Sequence, residues 1–342
     1  MRTPARLAAA VITAAFGASV LATPAQADGP GGGRPGDGHS DDTAVVDVSV
    51  ATVWTSPDSP RPVDAPALGD PAHPTRWANA MTLAQKLDLS ESNVTQTQAL
   101  YGTEVHVLQR QGDWTEVAVP GQPTPKNDLG YPGWIPTTQL TTDRAYEAVA
   151  DRRPFALVDE GNTTLFRDPA LRHRLLRVST NTRLPVLAQA HGRVLVATPG
   201  DGPAWLAASA VGVYRSDAQI PKATGAELVR WGKQFLGRPY VWAGRSGFGF
   251  DCSGFTGTIY QTHGITLPRD SGAQMDSPLG RTVADSDLKP GDLLFYGTPG
   301  HIHHVAMYAG DGRMIEAYSS EEPVRETAVR LGGDYAGAKR YL

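Results

Sequence analysis

One cysteine, Cys252, in a chain of 342 residues rules out an intramolecular disulfide, so packed cores must hold this fold together. The N-terminus nevertheless reads as an export signal. Arg2 and Arg6 precede an apolar stretch from Leu7 to Ala22, and Ala25-Gln26-Ala27 has the small-x-small form that signal peptidase accepts. Segment 1–27 is therefore expected to be a signal peptide, cut before Asp28. An exported chain meets an oxidising environment, where structural cysteines normally come in pairs. A lone thiol there is either a small buried core residue or a group kept for its reactivity.

The apolar stretch falls short of the ~20 residues that span a bilayer, and Pro24 breaks it. Nothing later in the sequence is apolar enough for a span. A formal net charge of −4, with no Lys/Arg cluster, gives no electrostatic case for nucleic acid or an anionic membrane surface. The mature chain is long enough for two or three domains. Its 37 glycines and 27 prolines favour short strands and turns over long helices.

Segment 28–43 is rich in Gly and Pro and reads as a disordered linker. Segment 44–140 alternates like strands in Val45–Val50 and Glu104–Leu108, and closes on Gly130-Tyr131-Pro132-Gly133-Trp134. It predicts a small all-β barrel, with Met81–Leu89 as a helical or irregular insertion. Segment 141–219 repeats this grammar: Thr182-Arg183-Leu184-Pro185-Val186-Leu187 parallels Thr103-Glu104-Val105-His106-Val107-Leu108, which suggests two related barrels in tandem. The texture changes in segment 220–342. Leu228, Val229, Trp231, Phe235 and Leu236 predict a helix over Lys222–Leu236, capped by Thr224 with Glu227 as its capping-box partner. A second helix is predicted over Ser253–His263, and strands over Leu293–Tyr296, His304–Tyr308, Met314–Tyr318 and Ala338–Leu342. Helices followed by an antiparallel sheet make an α+β domain.

Cys252 falls at the start of that second helix, where the helix dipole is expected to lower a thiol pKa. Gly244, Gly247, Gly249 and Gly254 around it would let backbone approach a substrate. His301, His303 and His304 precede the strand Val305–Tyr308, and Gly310-Asp311-Gly312 turns the chain into a partner strand. With about three loop residues, His304 and Glu316 should share a face as direct or diagonal neighbours, so Glu316 could accept an imidazole hydrogen. The competing readings are that His304 is a solvent-facing strand residue and Glu316 a surface charge, and that His301 and His303 form a metal site; the latter lacks a nearby carboxylate or thiol ligand.

At this point a resemblance emerges. Arg238–Gly244, Phe250–Phe255, Leu267–Ser271, Lys289–Phe295 and His303–Tyr308 occur in the order seen in NlpC-type cysteine peptidases of bacterial cell walls. The match covers roughly Thr224 to Leu342. It implies a papain-like α+β core, requiring no metal or cofactor, that hydrolyses the γ-D-glutamyl–diamino acid bond of peptidoglycan stem peptides. Carried over by position, Cys252 is the nucleophile, His304 the base and Glu316 the group that orients it. Many relatives have His in that third place. A carboxylate there would favour a thiolate–imidazolium pair. Tyr240 matches a tyrosine beside the nucleophile. For a substrate with a free L-Ala amine next to the γ-D-Glu carboxylate, Asp251 is the candidate for the ammonium. Ser253 and Ser271, with Asp270 orienting their surroundings, are candidates for the carboxylate, Trp242 walls the pocket, and His303 joins the substrate-binding set. Asp270 and Ser271 also suit a helix cap.

Two small barrels ahead of this domain resemble the subgroup with bacterial SH3-like domains. There the first barrel borders the active site and helps select peptides with a free N-terminal L-Ala. Tyr131 matches the position expected to reach the amine, with Glu104 or Glu91 as the accompanying acid. The expected partners are stem peptides or muropeptides, met by an exported monomer, secreted or associated with the cell wall. An amidase, or a wall-binding enzyme remodelling intact peptidoglycan, is the alternative.

Overall fold

The computed structural model describes residues 43–342; the expected signal peptide and the linker as far as Asp42 lie outside them. The described residues form one compact unit. Among the described residues no helix is long and apolar enough to cross a membrane.

The alternating Val/Thr/Ala runs of the first two segments form two seven-stranded antiparallel sheets. In space, the first runs Thr95–Leu100, Val50–Trp54, Tyr131–Pro136, Trp114–Val119, Glu104–Gln111, Thr43–Val46, Leu140–Thr141. The second runs Arg174–Ser179, Asn162–Phe166, Ala204–Ala207, Arg193–Val196, Arg183–Ala190, Phe155–Val158, Val211–Tyr214. Numbered within its own module, each sheet has the same order, and the parallel segments at Glu104 and Arg183 occupy the same place in it. The tandem relationship suggested by the sequence is thus one of topology. The expected barrels are corrected in one respect: the outermost strands of each sheet do not pair with each other, so both sheets are open. In the first, the outer strand Thr95–Leu100 faces the third module instead, where Gln98 Oε1 accepts the Arg245 amide at 2.9 Å.

Met81–Leu89 proves helical in large part. The helix runs Leu83–Glu91 and is started by a capping box between Thr82 and Gln85. Two further short helices, Ala65–Leu68 and Pro74–Ala80, accompany it. They bury Trp77 against Trp54 and Trp134, and that cluster extends to Val241 of the third module. A helix at Arg144–Ala150, unforeseen in the sequence, joins the modules: Tyr146 packs with Val45, Tyr101 and the core of the second sheet.

In the third module the Thr224/Glu227 capping box starts a helix over Gly225–Gly232, which tightens to a 3-10 turn at Lys233–Phe235. The helix Cys252–Thr262 packs on one face of a six-stranded antiparallel sheet. That sheet is ordered Arg281–Val283, Tyr335–Arg340, Leu293–Thr298, His301–Gly310, Arg313–Glu316, Arg325–Ala328. Leu293, Phe295, Val305, Met307 and Ile315 meet Phe250, Phe255, Ile259 and Tyr260 in the core between them. Alternate residues Leu294, Tyr296, Ala306 and Met314 form a smaller core on the other face. Two strands of this sheet, Arg281–Val283 and Arg325–Ala328, carry charged and Thr residues and escape an apolar-pattern reading.

Candidate active site

The cysteine helix begins where it does because Asp251 caps it. Asp251 Oδ1 accepts the Gly254 amide at 2.6 Å, which satisfies one of the free donors of the first turn. Cys252 is the first helical residue and is buried. Gly254 is required for packing: a Cβ there would overlap the Gly244 carbonyl, as one at Gly247 would overlap Gly161 of the second module. Protein backbone, not substrate, occupies the space these glycines leave, which corrects the sequence expectation for them.

His304 lies on the strand His301–Gly310, opposite Tyr296 of the neighbouring strand. The turn into Arg313–Glu316 is tighter than expected: Asp311 and Gly312 both have positive φ, and a register shift precedes them. Met307 opposes Ile315 and Tyr308 opposes Met314, so Glu316 stands across from Ala306 and diagonal to His304. His304 Nε2 lies 2.9 Å from Glu316 Oε2 with both side chains buried. A neutral imidazole bonded this way carries its proton on Nε2 and leaves Nδ1 as the bare nitrogen. The ring is held between Tyr296 and Tyr318, at centroid distances of 5.5 and 5.2 Å. The amides of Val305, the residue after His304, and of Ser253 lie near enough to the Cys252 thiol to lower its pKa. The Cys252 thiol thereby lies beside the backbone next to His304.

The electrostatics depart from the sequence expectation. Burial, reinforced by the Asp251 carboxylate, pushes the Cys252 thiol up to about 12, against the lowering effect of the two amides and Arg269. Burial also lowers the His304 pKa; the hydrogen bond to Glu316 opposes this, and Arg330 adds to it. Glu316 does not act as a lone negative charge. Arg330 binds it through two nitrogens, at 3.0 and 2.8 Å, and Arg325 Nε at 3.1 Å. Burial disfavours its ionisation, yet the bonds from His304 and Arg330 outweigh that and hold its carboxyl at about 2. Two guanidiniums on one carboxylate leave little net field to favour an imidazolium, so a preformed thiolate–imidazolium pair is not what this site favours.

A cleft of about 470 Å³ opens at Cys252. Trp242, Asp251, Ser253, Asp270, Ser271 and His303 line it from the third module, and Tyr131, Gln96 and Lys126 from the first. Tyr240 is buried, and burial, with Cys252 close by, raises its pKa well above the ordinary phenol value. Asp251 is consumed by its cap and by a buried ion pair with Arg269, at 2.6 Å between Nη2 and Oδ2, so it is not the free anion expected for an ammonium. Ser253 Oγ sits in the same network, 3.0 Å from Arg269 Nη1. Ser271 Oγ donates to the Ile302 carbonyl at 3.0 Å. His303 faces Asp334 at 2.8 Å on the exposed rim. Asp270 stands at the cap position of the helix Ser271–Asp276 but makes no capping bond. Instead both its oxygens lie 3.1 Å from the Tyr131 hydroxyl. Neither acid proposed to accompany Tyr131 lines the cleft: Glu91 is exposed at its helix end, and Glu104 faces Glu147 and Asp151.

Sequence reasoning passed over Arg269, whose Nε also donates to Thr97 Oγ1 of the first module at 2.8 Å. It also missed Gln96, Lys126, Arg325 and Arg330. Arg269 sits inside a block the sequence already singled out. The others carry no local signal, because each acquires its partner only across modules or strands.

The comparisons with known proteins agree with this geometry. The NlpC/P60 family model matches residues 237–334, and that of the YKFC SH3b2 domain matches residues 158–214. The gamma-D-glutamyl-L-lysine dipeptidyl-peptidase of Bacillus cereus is 47% identical over 88% of this chain and 92% of its own length. The chain belongs to the NlpC/P60 family. The Bacillus subtilis dipeptidyl-peptidase of the same name is 37% identical over 79% of the chain and 88% of its own length. A crystal structure of an NlpC/P60 family protein from Bacillus cereus superposes with a TM-score of 0.83, at 46% identity, covering 88% of this chain and 99% of that one. As an NlpC/P60 protein with SH3-like modules, the chain is a cysteine peptidase.

Proposed function

We propose that the chain hydrolyses the bond between γ-D-glutamate and L-lysine, or a related diamino acid, in peptidoglycan stem peptides with a free N-terminal L-Ala, releasing L-Ala-γ-D-Glu. The observation that carries this reading is the placement of Cys252 at a capped helix N-terminus beside the strand that presents the His304–Glu316 pair. The family membership and the names of the two Bacillus relatives support the bond. Tyr131, Gln96 and Lys126 of the first module line the cleft, which supports recognition of a short free peptide over intact wall polymer.

Cys252 Sγ attacks the γ-carbonyl while His304 Nδ1 takes the thiol proton. With the thiol pKa raised and the imidazole pKa lowered, the proton moves during attack and not before it. The oxyanion lies at the start of the helix, where the Cys252 amide has no intrahelical acceptor, and Tyr240 can add its hydroxyl. His304 then protonates the departing diamino acid nitrogen, and the C–N bond breaks to leave an acyl-Cys252. It next deprotonates water to release the dipeptide and restore the thiol. Glu316, clamped by Arg330 and Arg325, positions the imidazole throughout. The signal-like N-terminus supports export, and the protein acts as a monomer.

The test is mass spectrometry of L-Ala-γ-D-Glu-L-Lys and its N-acetylated form incubated with the purified chain. Cysteine-dependent release of L-Ala-γ-D-Glu from the free peptide is expected, and slower release from the acetylated one. Cleavage of neither peptide would defeat the reading.

A further inference from the structure

The Tyr131 hydroxyl, read above as the group that reaches the substrate amine, stands between the Asp270 carboxylate and an ammonium of the protein's own. Lys126, on the loop between the strands Trp114–Val119 and Tyr131–Pro136, places its Nζ 2.6 Å from the Tyr131 hydroxyl and 2.8 Å from Gln96 Oε1. The same nitrogen stands 4.4 Å from the centroid of the Tyr131 ring, within cation–π range. Gln96 is held in this orientation from its other end, its Nε2 donating to Thr55 Oγ1 at 2.7 Å and Asn93 Oδ1 at 3.1 Å.

The surrounding charges leave little room for a second cation. Asp251 is neutralised by Arg269 and His303 faces Asp334. Asp270 is the remaining carboxylate lining the cleft; Arg269 and Lys126 both feel its charge, Lys126 across the shared Tyr131 hydroxyl and not as a direct ion pair. A substrate amine seeking Tyr131 and Asp270 must therefore move the lysine away. Burial lowers the pKa of Lys126 even with Asp270 nearby, so its charged form is less favoured there than in water. The long, flexible stem on a loop gives it a route out to solvent.

We propose that Lys126 is an internal competitor for the amino terminus of the substrate, occupying the ammonium site at rest and setting how far the enzyme discriminates free from N-acylated stem peptides. This deepens the function proposed above and rests on it. A free peptide binds only in the fraction of molecules whose lysine has swung out. An acylated peptide leaves Lys126 in place, and its amide carbonyl can accept a hydrogen bond from it. Lysine at this position thus weakens binding of the free amine and softens the rejection of acylated peptides.

The test compares Lys126→Met and Lys126→Gln with the unmodified chain on L-Ala-γ-D-Glu-L-Lys and its N-acetylated form. If Lys126 fills the site nine-tenths of the time, its removal lowers KM for the free peptide about tenfold. The free-to-acetylated ratio of kcat/KM rises by a similar factor, in the same direction in both variants. A KM for the free peptide that rises, or a ratio that stays put while the unmodified chain still cleaves, would overturn the competitor role alone. Cleavage of neither peptide by the unmodified chain would overturn the proposed function and this inference together.

Discussion

The two front modules have the same strand order and opposite relations to the active site. In the first, Val119 pairs with Tyr131; in the second, the corresponding last residue of the strand, Val196, pairs with Ala204. One ladder position thus carries a phenol aimed at Asp270 in one copy and a buried methyl in the other. The loops before those strands differ as well. Residues 120–130 of the first module supply the Pro123 carbonyl that accepts the Arg269 amide at 2.9 Å, and Lys126 in the cleft. Residues 197–203 of the second supply no lining to it. The second module braces the cysteine helix from its far end instead: Asn181 Nδ2 donates to the Thr258 carbonyl at 3.0 Å, and Thr262 Oγ1 to Asn181 Oδ1 at 2.7 Å. The shared fold sets where strands run, while loops and single side chains decide which copy touches chemistry.

That contrast predicts a graded series of effects. Replacing Cys252 by Ala should lower turnover on the order of 10⁴-fold or more while leaving both front modules intact. Residual cysteine-independent release of the dipeptide, measured by mass spectrometry, would mean that a front module acts chemically itself. Arg269→Met strips a buried carboxylate of its partner and cuts the tie to Thr97, so a loss of roughly 3–5 kcal/mol in denaturant unfolding is expected. Much less than that would show the first module to be loosely attached.

Tyr131→Phe keeps the ring and loses the hydroxyl between Asp270 and Lys126. It should lower kcat/KM for the free peptide by roughly ten- to a hundredfold, the range for a hydrogen bond to a charged group, with little change in melting temperature. Asn181→Ala should do the reverse. It removes two buried hydrogen bonds to the cysteine helix, leaving the Thr258 carbonyl and the Thr262 hydroxyl their bond to each other, and should cost about 1–3 kcal/mol of stability, with kcat/KM per folded molecule near its original value. If the two variants exchanged these signatures, the division into a reading module and a bracing module would fail.

A further effect lies in acid. The Glu316 pKa is lowered from 4.5 to about 2 on folding, so the folded state gives up its advantage as pH falls from about 4.5 toward 2, when the carboxylate is protonated. Glu316→Gln should flatten that part of the stability curve relative to its own neutral-pH plateau. Front-module variants should shift the whole curve without changing its shape. A Gln variant with the same acid limb would place the titration elsewhere.

Much of the third module was legible before folding. The Thr224/Glu227 capping box, the cysteine helix and the hairpin bringing His304 toward Glu316 are local patterns, set by neighbours within a few residues or across one turn. The glycines near Cys252 were legible as close-approach positions, but the identity of what approaches was not. Asp251 looked like a free anion because its cap is local while its ion pair with Arg269 is not. The neutralising arginines on Glu316 come from a strand and a loop whose polar pattern announces no element.

By itself, then, the sequence determined the modular order, the helix that starts at the lone thiol and the partnership of His304 with Glu316, since periodicity, caps and turns act over short distances. Tertiary structure alone decided that both sheets stay open, that the thiol and imidazole are disfavoured as ions, and that Tyr131, Asp270 and Lys126 meet. The open sheets follow from which strands pair, the disfavoured ions from burial, and the Tyr131 cluster from segments 139 residues apart; none of these leaves a trace in local pattern.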